Sequence, residues 1–79
     1  MARLLLFGPA RQAAGTSRAE VDGPTVSAVC EEARARFGPR FAEVLAVSAL
    51  WVNGEPADAE APVAAGDEVA VVPPVSGGA

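Results

Sequence analysis

Between Gly23-Pro24 and Gly38-Pro39 the chain holds its one clear helical period, and that stretch limits what the rest can become. Apolar residues recur at Val26, Val29, Cys30, Ala33 and Phe37, which share one face of a 3.6-residue helix. Thr25 is placed to cap the N-terminus, and Gly38-Pro39 stops the run. Glu31, Glu32, Arg34 and Arg36 fall on the opposite face, where Glu32 and Arg36 have the i,i+4 spacing of an ion pair. A single helix cannot bury its apolar stripe alone. The flanking segments must supply a surface for it.

Those segments alternate. Residues 2–7 read as a strand with Leu4 and Leu6 on one side and Arg3, Leu5 and Phe7 on the other. Gly8-Pro9 ends it, and residues 10–17 read as a loop in which Gly15 takes a positive φ. Residues 18–21 make a short second strand, hairpinned to the first. After the helix, residues 41–47 fit a shorter second helix with Val44 and Leu45 inward. Residues 49–52 form a strand ending in the tight-turn signal Asn53-Gly54. Residues 56–67 read as an irregular loop, and Glu68 to Val72 as the last strand.

This order predicts an α+β fold, one small mixed sheet with the main helix across one face. The first and last strands are apolar on both sides, so they belong next to each other in the middle. The predicted core is Leu4, Leu6, Val21, Val29, Phe37, Leu50, Val52, Val69 and Val71. Leu5, Phe7, Trp51 and Val72 then gather on the opposite face, with Pro56 at its margin. Such a contiguous apolar patch marks a partner, unless the loop of residues 56–67 folds over it.

Composition narrows the chemistry. With 79 residues the chain makes one small domain without room for a deep internal active site. It has no histidine, lysine or tyrosine, which excludes Ser-His and Cys-His nucleophile systems and imidazole metal sites. No metal-ligand cluster is visible. Cys30, the single cysteine, reads as a small buried hydrophobe rather than a reactive thiol, and it cannot form an internal disulfide. Together with the lack of a signal-peptide core or spanning segment, this suits the cytoplasm. The net charge of −4 disfavours nucleic acid and anionic membrane as partners.

The chain ends in Pro73-Pro74-Val75-Ser76-Gly77-Gly78-Ala79. Two prolines cannot donate to a ladder, so the last strand stops near Val72. The seven residues from Pro73 span at most roughly 23–25 Å, and the glycines can enter a channel too narrow for side chains. We divide the chain into a domain at residues 1–75 and a flexible tail at residues 76–79. Gly77 and Gly78 bury nothing to offset their ordering entropy, so disorder in the free chain is expected there.

Leu-Leu-Phe at the start followed by Arg11 and Gly15, Pro24-Thr25-Val26, Val52-Asn53-Gly54, Gly66-Asp67-Glu68-Val69 and the Pro-Pro-Val-Ser-Gly-Gly ending resemble one family. It is the MoaD/ThiS family of ubiquitin-like sulfur carriers, and these motifs look like those of its molybdopterin synthase small subunits. The resemblance implies a β-grasp fold and a carrier that is not an enzyme on its own. An adenylyltransferase resembling ubiquitin-activating enzymes would use ATP to activate Gly78, which then becomes a thiocarboxylate. No cofactor would be bound by the chain itself. The large synthase subunit, in a heterotetramer, would receive the tail (Ser76, Gly77, Gly78) and pass the sulfur to cyclic pyranopterin monophosphate. Phe7, Arg11, Trp51, Pro56 and Val72 would form the partner-binding surface. Ala79 departs from the family pattern, which ends at the second glycine. The form ending at Gly78 is therefore the expected active one. A carrier for thiazole or cysteine biosynthesis, and a ubiquitin-like protein modifier, are the alternatives.

Overall fold

In a computed structural model, which describes residues 1–73, the chain forms a five-stranded mixed sheet with three helices. The elements are β1 (Ala2–Leu6), α1 (Gly8–Ala14), β2 (Arg18–Val21), α2 (Val26–Phe37), α3 (Pro39–Ala46), β3 (Ala49–Val52), β4 (Glu55–Pro56) and β5 (Glu68–Val72). The strand order is β2-β1-β5-β3-β4. β1 and β5 lie together at the centre and run parallel, with Leu4 beside Val69 and Leu6 beside Val71. The other pairings are antiparallel.

Alternation sets the inner face. Ala2, Leu4, Leu6, Val21, Val69 and Val71 are buried there, against Val26, Val29, Cys30 and Ala33 of α2. Thr25 caps α2 through its hydroxyl, which accepts the Ala28 N–H at 3.2 Å. The earlier N–H groups of that first turn also find partners. Val26 donates to Ala61 O and Ser27 to Ala59 O. These bonds hold the loop after β4 against the helix N-terminus, where Val63 is buried and Thr25 bridges Pro62. The loop of residues 56–67 therefore docks on α2, and its described contacts do not lead to the open face of the sheet. That corrects the lid reading.

Three further expectations change. Residues 10–17 are not a loop throughout, because Gly8–Ala14 forms α1, opened by a proline and closed by Gly15 at φ +79°. Its Ala10 is buried, and the helix packs against α3. Phe41, left out of the predicted core, is fully buried, while Phe37 is only partly buried; their rings stack tilted at 5.1 Å. Finally, Arg36 does not reach back to Glu32. Its guanidinium donates to the Glu20 carbonyl on β2 at 3.0 Å.

That contact completes a closed edge. Arg18 and Glu20 present their backbone groups away from β1. The Thr16 hydroxyl donates to Arg18 O at 2.9 Å and accepts the Arg18 N–H at 3.4 Å, while Arg36 occupies Glu20 O. On the other side, Asn53 and Gly54 turn β3 into β4 with φ of +51° and +83°, the positive values a tight hairpin needs.

Candidate functional site

The outer face of the sheet follows from the registers. One row crosses Arg18, Leu5, Ala70, Trp51 and Pro56, each opposite the next. A second row pairs Val72 with Ala49, and the extended backbone at Phe7 (φ −125°, ψ 150°) carries that residue level with Val72. Leu5, Trp51, Ala70 and Val72 are partly exposed, and Phe7 is 48% exposed. None of the three described helices covers this side. At its far end the patch gives way to an ion pair, Arg3 to Glu68 at 3.1 Å.

The rim there is tightly bonded. Asn53 donates through its side-chain nitrogen to Asp67 at 3.1 Å and accepts the Glu68 N–H at 3.0 Å. The Ala64 N–H reaches the other Asp67 oxygen at 2.8 Å. These donors, the Ala64 N–H first and Asn53 second, hold the Asp67 carboxyl below its usual pKa.

At the opposite end β5 delivers the chain to Pro73. Gly8 sits beside it with φ +54°, and a β-carbon there would lie 3.3 Å from the Pro73 ring. Gly8 thus combines a backbone conformation that favours glycine with a close approach to the departing chain. Arg11 is exposed on α1, at this same end of the sheet.

The structure therefore brings Phe7, Trp51, Pro56 and Val72 onto one face, with Pro56 exposed at the β4 margin. Ser76, Gly77 and Gly78, and the expectation of a flexible tail, lie outside the described residues. Two residues of the site escaped the sequence reading. Ala70, between Leu5 and Trp51, keeps the centre of the face low. Gly8 was read only as a strand terminator, although glycine before proline was a visible sign of a special backbone. Cys30 lies under α2, away from this face; burial pushes its thiol pKa up, with Arg34 partly opposing.

Among the described residues no polar or charged side chain is buried, and no group of His, Cys, Asp or Glu could hold a metal. None of the described helices is long and apolar enough to cross a membrane. What this arrangement can do is dock an apolar surface and present whatever follows Pro73.

Comparison with known proteins bears on the same two features. Residues 4–78 match the ThiS family. SAMP1 of Haloferax volcanii, a small archaeal modifier protein, is 32% identical over 98% of both chains, with a TM-score of 0.79. A Pyrococcus furiosus protein described as molybdopterin converting factor, subunit 1, is 28% identical over 94% of this chain and 97% of its own, with a TM-score of 0.82. A Helicobacter pylori complex of subunits 1 and 2 of molybdopterin-converting factor contains a chain 25% identical to this one. That match covers 98% and 97% of the two chains, with a TM-score of 0.67.

Proposed function

Because the chain belongs to the ThiS family of ubiquitin-like sulfur carriers and modifiers, we propose that it carries sulfur on Gly78 for molybdopterin synthesis. The observation behind this reading is the exit of β5. The central strand hands the chain to Pro73 at the rim of an uncovered apolar face, beside Phe7 and Gly8.

The chemistry divides between the chain and its partners. An adenylyltransferase joins the Gly78 carboxylate to AMP, releasing pyrophosphate from ATP, and a sulfur donor then displaces AMP. Adenylation turns an unreactive carboxylate into an acyl group with a good leaving group. The Leu5, Phe7, Trp51 and Val72 face, with Arg11 and Pro56 at its edges, docks on the large synthase subunit, and the tail reaches that subunit's active site. There the thiocarboxylate sulfur passes to cyclic pyranopterin monophosphate. In this reading the working form ends at Gly78, so Ala79 is removed before activation.

A second reading, a protein modifier, is favoured by the 32% identity to a small archaeal modifier protein. One experiment separates the two. Chains ending at Gly78 and at Ala79 are incubated with an activating enzyme, ATP and a sulfur source, and intact masses are recorded. Replacement of oxygen by sulfur on the Gly78 form is the expected result, followed by sulfur loss when the large subunit and the pyranopterin are added. Conjugates to other proteins would support the modifier reading. Equal rates for both chains would remove the requirement that Ala79 be cleaved.

A further inference from the structure

The surface of this chain is poor in one kind of chemistry. Its 79 residues include no lysine, histidine or tyrosine, so no side-chain amine, imidazole or phenol exists. Two stronger nucleophiles remain. Cys30 is 5% exposed under α2, and a thiol attacks only as an accessible thiolate. The α-amine of Met1 lies 3.7 Å from the Asp22 carboxylate, at the start of β1. β1 and β5 are parallel, so Met1 and Pro73 stand at opposite ends of the sheet.

Reach decides the second case. The seven residues from Met1 to Gly8, level with Pro73, cover about 23 Å of strand. The five residues from Pro74 to Gly78, the residue that is activated, extend at most about 17–18 Å. Even a straight tail falls short of that amine. The hydroxyls of Thr16, Thr25 and Ser48 are engaged in hydrogen bonds to backbone; those of Ser17 and Ser27 make no such bond among the described residues, but the chain has no histidine to activate any hydroxyl.

We propose that the chain is kept clear of nucleophiles able to attack its own activated terminus, so that the acyl group passes only to a partner. This inference rests on the carrier reading above. The reaction avoided is aminolysis. A neutral amine adds to the acyl carbon and a C–N bond forms. The bond from that carbon to the adenylate oxygen, or to a thioester sulfur, breaks with its electron pair on the leaving group. The amine's proton goes to solvent.

Arginine supplies cations for a docking face without that hazard. Its guanidinium stays protonated, whereas about one lysine amine in a hundred is neutral two pH units below its pKa of about 10.4. Arg18 is the informative position. It faces outward on β2 opposite Leu5, two strands from β5 and three residues back from the level of Gly8. Those offsets are each about 10 Å, so a lysine there would be about 14 Å from Pro73, within the tail's range.

The test uses the chain ending at Gly78 and bearing there a thioester of a small thiol, made by intein cleavage. No activating enzyme is needed, so the outcome is independent of whether the chain is adenylated in its own pathway. The chain and its Arg18→Lys variant are held dilute at about pH 8.5. Intact mass separates the hydrolysed acid from an internal amide, which is lighter by one water. The expected result is acid alone from the unsubstituted chain, and internal amide mapped to position 18 from Arg18→Lys, at least about tenfold above background. Comparable internal amide in the unsubstituted chain would overturn the proposal, as would acid alone from Arg18→Lys. A small amine added to solution should consume both thioesters equally. A slower loss from the unsubstituted chain would show shielding instead, and would also overturn it.

Discussion

The two faces of the sheet are made by the same strands in the same registers, yet they have opposite fates. Leu4, Leu6, Val69 and Val71 are at most 1% exposed beneath α2. One residue along, Leu5, Phe7, Ala70 and Val72 stand on a side that no helix covers. Both faces are apolar, so hydrophobicity does not distinguish them; the cover does. A small domain that exposes such a face stays folded because the inner face alone holds a complete core. The outer face is then free to be selected for binding.

The sharpest way to break that division is to empty the inner side. Phe41→Ala should destabilise the fold by about 3–5 kcal/mol, the range for removing a buried aromatic ring, read from the denaturant midpoint. A loss under about 1 kcal/mol would mean that the ring is not integral to the core. On the outer side, Phe7→Glu should leave the melting temperature nearly unchanged while weakening the proposed docking to a large synthase subunit. Losing about 1.5–3 kcal/mol of burial corresponds to a Kd raised roughly ten- to 150-fold by calorimetry or surface binding. An unfolded Phe7→Glu chain would put that residue in the core and merge the two faces.

The smallest effect belongs to the rim that joins them. Asp67 has a folded pKa below its unfolded value of about 3.9, so its bonds to Ala64 and Asn53 add stability above that pH. The contribution disappears as pH falls through the folded pKa. Asp67→Asn should therefore flatten the acid side of the stability profile, measured as urea midpoints at neutral pH and below about pH 4. An unchanged acid slope would assign that dependence to other carboxylates.

Much of this was legible in the residues. Period-2 alternation placed the main strands, the Val26–Phe37 period placed α2, and two doubly apolar strands required a central β1–β5 pair. The same alternation could say that Leu5, Trp51 and Val72 share a face, but only the path of residues 56–67 shows that this loop leaves the face uncovered. α1 was missed because it is short and has little apolar period. Pro9, the helix formers Ala10 to Ala14 and Gly15 marked its ends, but its place comes from packing on α3. Phe41 was missed for a related reason. The helix begins at Pro39, and this puts Phe41 and Leu45 four residues apart on its buried side. Gly8 meeting Pro73 joins the two ends of the chain, a proximity that no local pattern carries.

The closed edge at β2 has a consequence for stoichiometry. Linear polymers grow only from units with two reactive ends, and strand addition treats each open sheet edge as one end. Thr16 and Arg36 take three of the four outward backbone groups of Arg18 and Glu20. Among the described residues, what stays open is the Glu20 N–H on this edge and the short β4 side, with Pro56 in it. In that sense the molecule is nearly monofunctional. Strand addition is favoured at the β4 edge and disfavoured at the β2 edge, which works against the repeated two-ended addition that a fibril needs.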